Sequence, residues 1–85
     1  MGGSDKLVSR FLKVPKDLTW DELVAILEHY GYSPLKSGRT GGSRRKFINT
    51  EKHVISLHKP HPGNIVKTYV IAQIITVLKE KGRVS

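Results

Sequence analysis

The feature that most constrains the fold is a glycine pair near the middle of the chain, followed at once by a basic stretch: residues 41–47 read Gly-Gly-Ser-Arg-Arg-Lys-Phe. Glycine accepts positive φ angles at a tight turn, so the pair predicts a hairpin whose second strand runs from Ser43 to Ile48. Alternation along that strand places Lys46 and Phe47 on opposite faces. We therefore expect an antiparallel sheet built around a cationic strand.

Two further strands are predicted on either side of this one. The first runs from Tyr32 to Arg39, with Pro34 tolerated only at an edge or at the start of a strand, and the glycine-rich segment 38–42 makes the turn. The polar segment 49–52 supplies a second turn, and the stretch from His53 to His58 alternates as a third strand, with Ile55 and Leu57 on one face.

Helices are predicted at both ends of the chain. Residues 5–13 form a short amphipathic helix that Pro15 ends. Thr19 and Glu22 have the spacing of a capping box, which starts a helix from Trp20 to Tyr30 that Gly31 closes. After a rigid loop with Pro60 and Pro62, helical spacing resumes until Gly82. Each predicted helix has one apolar face. In the first helix it consists of Leu7, Val8, Phe11 and Leu12; in the second, of Trp20, Leu23, Ile26, Leu27 and Tyr30; and in the C-terminal helix, of Val66, Val70, Ile74, Val77 and Leu78.

This order of elements predicts an α+β fold: a three-stranded antiparallel sheet with helices packed on one face and the other face open, plus a short N-terminal helix. A chain of 85 residues is long enough for one domain and too short for two. We assign residues 5–82 to that domain, 1–4 to a flexible start or an expression remnant, and 83–85 to a tail.

Charge is concentrated in the middle of the chain. There are 15 Lys and Arg residues against 7 Asp and Glu, for a formal net charge of +8. Eight of the cations lie between residues 36 and 67, where Glu51 is the single acid. Such a segment favours a polyanionic partner. For the basic strand itself, the alternative is a solvated edge whose charges discourage aggregation.

Several functional classes lack the residues they need. Cysteine is absent, which excludes disulfides and thiolate zinc sites. His58 and His61 have only Glu51 near them in sequence, too few ligands for a metal. Segment 39–43 lacks the lysine spacing of a nucleotide-binding loop, and Ser43 has no neighbouring acid to orient a histidine. We expect no metal and no cofactor. The longest nearly apolar run, 69–78, is far below the ~20 residues of a membrane span, so we expect a soluble, cytoplasmic protein.

The order of the motifs resembles the HicA family of toxin mRNA interferases. The motifs are Gly-Ser followed by residues 44–47, a strand ending in residues 55–57, the segment His61-Pro62-Gly63, and a C-terminal amphipathic helix. The similarity covers roughly residues 23–82. It implies a fold like that of double-stranded-RNA-binding domains, ribosome-linked or free mRNA cleavage without a metal, and neutralisation by a HicB-type antitoxin. In the family pattern histidines follow Gly-Ser, the first being catalytic; here that position is Arg44.

The chemistry of metal-free RNA cleavage selects the candidate catalytic residues. It needs a base for the 2′-hydroxyl, charge stabilisation at the phosphate and an acid for the leaving oxygen. Histidine serves as base or acid, whereas arginine stabilises charge but, with a pKa above ~12, carries protons poorly. We therefore assign charge stabilisation to Arg44 and proton transfer to His61 or His58, each of which could instead be an ordinary strand-end or loop residue. The RNA-binding candidates are Arg39, Ser43, Arg45, Lys46, Lys59 and Lys67.

The leading hypothesis is an RNA-directed toxin, a metal-independent mRNA endoribonuclease with a cognate antitoxin. The alternative is a non-catalytic RNA-binding module that uses the same basic face. A third hypothesis is a purely protein-binding role, in which the basic face docks on an acidic, antitoxin-like protein. The other two histidines are given no catalytic role: His29 lies at the end of a helix, where a cation is favourable, and His53 is expected to be solvated in a turn.

Overall fold

The computed structural model describes residues 2–35, 44–60 and 63–82. The elements follow one another as α1 (Gly2–Leu12), α2 (Trp20–His29), β1 (Ser33–Leu35), β2 (Arg44–Ile48), β3 (Val54–His58) and α3 (Thr68–Glu80). The strands form one antiparallel sheet in the order β1-β2-β3. The predicted α+β architecture is confirmed. None of the helices in these ranges is long and apolar enough to cross a membrane.

Helix α2 begins and ends as its sequence predicts. The Glu22 amide donates to the Thr19 hydroxyl at 3.2 Å and the Thr19 amide donates to the Glu22 carboxylate at 2.9 Å, completing the capping box. At the other end, Gly31 adopts a φ of +91°. The amides of Gly31 and Tyr32 donate to the carbonyls of Glu28 and Leu27, a Schellman arrangement that satisfies the last carbonyls of the helix.

Helix α1 is held by one aromatic side chain and one ion-pair cluster. Phe11 is fully buried in the common core, whereas Leu7 and Val8 are half-buried and Leu12 is exposed, so the predicted burial of Leu12 was wrong. The guanidinium of Arg10 donates to the Glu22 carboxylate at 3.1 Å and also contacts Asp17. The hydrogen bond from the Thr19 amide, reinforced by Arg10, holds the pKa of Glu22 below its usual range, although partial burial opposes this. Helix α1 is therefore tied to the first turn of α2.

The register of the sheet defines its two faces. Phe47 pairs with Pro34 of β1 and with Ile55 of β3. Phe47 and Ile55 are buried, and the ring of Trp20 lies 6.0 Å from that of Phe47, so the helices cover this face. On the opposite face Lys46 is exposed, and β3 alternates exposed and buried residues along its length. Among the described residues, this second face is open, as predicted.

Helix α3 packs on the core through a stripe that differs in part from the predicted one. Ile71, Ile74 and Leu78 are buried, whereas Val70 and Val77 are half-buried. Because the helix begins at Thr68, Val66 is buried in the preceding loop instead of in the helix, and Ile71 takes the first core position. Gly82, with a φ of +73°, follows the helix end as predicted.

A two-residue β-bridge joins the segments that lead into α2 and α3. Thr19 and Ile65 are the bridge partners. The Trp20 amide donates to the Asn64 carbonyl at 2.7 Å, and the Val66 amide donates to the Leu18 carbonyl at 2.8 Å. Leu18 and Val66 are buried beside it. The entry into α3 is thus fixed relative to the entry into α2.

Several predicted boundaries were wrong. Helix α1 starts at Gly2, three residues before Asp5, and β1 starts at Ser33 instead of Tyr32, whose amide donates to the Leu27 carbonyl at the end of α2. The described part of β1 is Ser33–Leu35, and its predicted continuation to Arg39 is not among the described residues. The predicted glycine turn, together with the rest of segment 36–43, lies outside the described residues.

The hairpin between β2 and β3 corrects the prediction for His53. The Asn49 side-chain oxygen accepts hydrogen bonds from the amides of Glu51 and His53, and Lys52 takes a φ of +68°. His53 is half-buried, with Nδ1 2.8 Å from the Tyr32 hydroxyl, so the expectation that it is solvated was wrong.

Candidate nucleic-acid interface

A cavity of about 280 Å³ lies between the end of β3 and the start of α3. Its described lining combines basic, imidazole, aromatic and aliphatic side chains: His58, Lys59, Pro60, Val66, Lys67, Tyr69 and Val70. Pockets for small ligands start at about 300 Å³, so the space suits a fragment such as one nucleotide of a longer chain. The lining carries two lysines and a histidine and no acid among the described residues.

The β3 side of the cavity follows from strand geometry. His58 is the last residue of β3 and continues the alternation that keeps Ile55 and Leu57 in the core, so its side chain is exposed. Lys59 and Pro60 follow directly, where the chain leaves the sheet. Because proline lacks an amide donor, the ladder cannot continue through position 60. A titratable ring and an ammonium group are thereby placed at the rim of the sheet.

The α3 side of the cavity is the beginning of a helix. Lys67 is the N-cap residue, with extended backbone angles (φ −69°, ψ 146°) and no capping hydrogen bond from its side chain. The first turn of α3 contains no acidic residue. Helix N-termini carry partial positive charge and bind anions, phosphate groups among them. The cationic side chains and the helix end therefore attract the same kind of ligand.

Two predicted RNA-binding residues on β2 stand outside this cavity. Lys46 pairs with Ser56 on the open face of the sheet, whereas Arg45 pairs with Leu57 on the other face. Both cations are exposed, and neither belongs to the described lining. Lys46 therefore adds positive charge to the open face of the sheet and Arg45 adds it on the opposite side of β2, so these cations do not share the single basic face that was expected.

Arg44 is located by its backbone. It is the first residue of β2 and the partner of His58 in the antiparallel ladder. Paired residues in such ladders have Cα atoms about 4.5–5.5 Å apart. The two candidate catalytic positions therefore lie side by side at one end of the sheet.

The structure brings together only part of the predicted site. His58, Lys59 and Lys67 line one cavity, and Arg44 is adjacent to it through the register of the sheet. His61, Arg39 and Ser43 lie outside the described residues. Within the described ranges, no group of three or more His, Cys, Asp or Glu side chains is arranged to hold a metal ion.

Tyr69 was not among the predicted site residues. Its side chain is 60% exposed and lines the cavity from the first turn of α3. From sequence it was read only as the start of an apolar run. Residues two apart on a helix do not share a face, so Tyr69 lies off the face defined by the buried Ile71. Because Ile71 was not predicted to be buried, this spacing gave no signal from sequence alone.

Comparison with known families matches the part of this fold from α2 to the end of α3. The family model described as HicA toxin of bacterial toxin–antitoxin matches residues 20–82, from the first residue of α2 to the glycine after α3. Helix α1 precedes the matched segment. No curated protein and no solved structure matches the chain significantly. Because the family model matches well over half of the sequence, the chain belongs to the HicA toxin family of bacterial toxin–antitoxin systems.

Proposed function

We propose that this protein is a toxin that cleaves mRNA in the cytoplasm without a metal ion and that a HicB-type antitoxin neutralises it. Family membership supports the toxin role. The observation that carries the activity is the cavity beside β3, where His58 meets Lys59 and Lys67 and where Arg44 is the ladder partner of His58. A proton carrier next to phosphate-binding cations is the minimum that RNA cleavage by transesterification requires.

In the proposed reaction, a histidine removes the proton of a 2′-hydroxyl, and the 2′-oxygen bonds to the adjacent phosphorus. The bond from phosphorus to the 5′-oxygen breaks, and that oxygen takes a proton from an acid. The products are a 2′,3′-cyclic phosphate and a 5′-hydroxyl. His58 or His61 moves the protons, and Arg44 stabilises the charge that builds up on the phosphate oxygens. Lys59 and Lys67 hold the flanking phosphates.

The second candidate function is RNA binding without cleavage. The observation that favours it is arginine at position 44, where the family pattern has its catalytic histidine. The basic surface of β2 and the cavity would then serve as a binding site only.

Cleavage and binding are separated by incubating the pure protein with a long unstructured RNA at low salt in the presence of a chelator. Fragments ending in 2′,3′-cyclic phosphate are expected. An RNA with 2′-deoxy nucleotides should bind equally well and stay intact, since it lacks the nucleophile. Binding of both RNAs without any cleavage would support the non-catalytic module, and loss of cleavage on chelation would refute the metal-free mechanism.

Substitutions assign the roles. His58→Ala or His61→Ala should lower the cleavage rate by about 10²–10⁴-fold, as loss of a general acid or base does. Arg44→Ala should lower it by about 10²-fold or more. His29→Ala is the matched control, because His29 is exposed at the end of α2 and does not line the cavity. Full cleavage by both His58→Ala and His61→Ala would remove these histidines from the mechanism.

Arg44→His tests the departure from the family pattern directly. If position 44 was once occupied by the catalytic base, this substitution should raise the cleavage rate. An unchanged or lower rate would show that the arginine is the functional group at this position.

The antitoxin is proposed to be acidic at the surface that meets the basic face of the toxin. Co-expression should then relieve growth arrest, and the affinity of the pair should fall with salt. A complex whose affinity does not change with salt would contradict docking through these cations.

A further inference from the structure

Tyr69 has the largest exposed fraction among the large hydrophobic side chains of the described residues. It is 60% exposed, while its helical neighbours Val70 and Ile71 are half-buried and buried. Core packing therefore does not explain a tyrosine at this position. The side chain of Tyr69 makes no hydrogen bond or ring contact with any other described residue.

The surroundings of Tyr69 are cationic. His58, Lys59 and Lys67 line the same cavity as its ring. A cationic groove that tracks phosphates, combined with an aromatic face on which bases stack, is the arrangement by which proteins bind single-stranded nucleic acids. Duplex RNA keeps its bases stacked inside the helix, so an isolated aromatic ring favours unpaired bases.

We propose that Tyr69 forms a base-stacking subsite, in which one unpaired nucleobase lies on its ring while the phosphates of that strand contact Lys59 and Lys67. This inference rests on the proposed function and adds the substrate class, single-stranded RNA, and a positioning residue. Fixing the base fixes the adjacent ribose and phosphate relative to His58. Stacking tolerates every base, so Tyr69 selects strandedness rather than sequence.

The binding probe is an uncleavable 2′-O-methyl oligoribonucleotide of about 12 residues, measured by fluorescence anisotropy as a single strand and as a duplex. Tyr69→Ala should weaken single-strand binding by roughly 5- to 150-fold, the range measured for loss of one stacked base, and leave duplex binding unchanged. Tyr69→Leu keeps apolar bulk in the helix but lacks the ring face, so it should lose as much. Tyr69→Phe should retain most of the affinity.

Two controls isolate the base contact. A strand with the same phosphates and abasic sugars should bind the wild type and Tyr69→Ala equally, because no base remains to stack. The slope of log K against log salt should be unchanged in Tyr69→Ala, whereas Lys67→Gln should reduce it by about 0.7, the value of one phosphate contact. Leu12→Ala, an exposed apolar substitution outside the cavity lining, should alter neither measurement.

The outcomes separate the inference from the function on which it rests. If the wild type binds and cleaves RNA and Tyr69→Ala and Tyr69→Leu bind the single strand with wild-type affinity, the stacking subsite is refuted and the toxin activity stands. If these variants lose antitoxin affinity while RNA binding is unchanged, Tyr69 is a protein-docking residue and the inference is wrong. If the wild type binds no RNA, both proposals fall together.

Discussion

Replacing Phe11 by alanine tests whether α1, which precedes the segment matched by the HicA family model, is an integral part of the domain. Phe11 is 0% exposed and belongs to the same core cluster as Trp20 and Leu23. Removing a buried aromatic side chain loses its transfer free energy and leaves a cavity, and together these cost about 3–5 kcal/mol. A domain of this length has about 4–13 kcal/mol of stability in total, so the loss is a large share of it.

Urea unfolding followed by Trp20 fluorescence measures the effect, since Trp20 is buried in the core and packs against Phe47. For so small a protein the free energy of unfolding falls by about 1 kcal/mol per molar urea, so the urea concentration at the midpoint of unfolding should fall by about 3 M or more. Phe11→Leu should lose about 1–2 kcal/mol and stays measurable if the alanine variant is unfolded in water. The matched control is Leu12→Ala, next in sequence but 39% exposed, which should cost under about 1 kcal/mol.

A loss below about 1 kcal/mol for Phe11→Ala, similar to that of Leu12→Ala, would refute this reasoning. It would mean that α1 packs on a domain that is already complete without it. The core would then begin at Leu18 and not at Phe11.

Three further predictions concern charge and backbone. The pKa of Glu22 is lowered in the folded state, so its ionised form stabilises the fold above pH ~4.3, and this stability is lost as the pH falls through the folded-state pKa. Glu22→Gln keeps the cap and should therefore lower the free energy of unfolding at pH 7 but not at low pH. Glu28→Gln removes the same charge outside the cap and serves as the control. Lys52→Gly should raise the free energy of unfolding by about 0.5–1 kcal/mol, because a φ of +68° costs a residue with a side chain ~1–2 kcal/mol. The control Thr50→Gly, in the same turn, should not stabilise the protein. Arg45→Gln and Lys46→Gln should each flatten the salt dependence of single-stranded RNA affinity by about 0.7 in log–log slope, and a wild-type affinity that does not change with salt would contradict RNA binding through these cations.

Sequence reasoning succeeded where the cause is local. The capping box of Thr19 and Glu22 and the left-handed Gly31 depend on neighbouring residues only, and both were predicted. The alternation of β3 likewise told which face of the sheet is buried, because side chains on a strand point alternately to opposite faces.

The cavity could not be predicted in the same way, because its walls come from segments brought together by packing. The exit of β3 at His58 and the entry of α3 at Lys67 become neighbours only once the sheet and the helix share a core. The start of β1 was placed one residue too early, since the hydrogen bond of the Tyr32 amide to the Leu27 carbonyl extends the end of α2 into the predicted strand. The exposure of Tyr69 follows from the start of α3 at Thr68, and hydrophobic periodicity had placed the start of this helix too early, at Val66.

The bridge between Thr19 and Ile65 has a consequence for the order in which the molecule is assembled. Its two partners lie about half of the chain apart, with the whole sheet between them in sequence, and contacts between residues distant in sequence form slowly. Lys67 and Tyr69 follow the bridge directly. The cavity wall that they form therefore depends on a contact between distant parts of the chain. A chain in which Thr19 and Ile65 are not paired lacks this wall of the cavity.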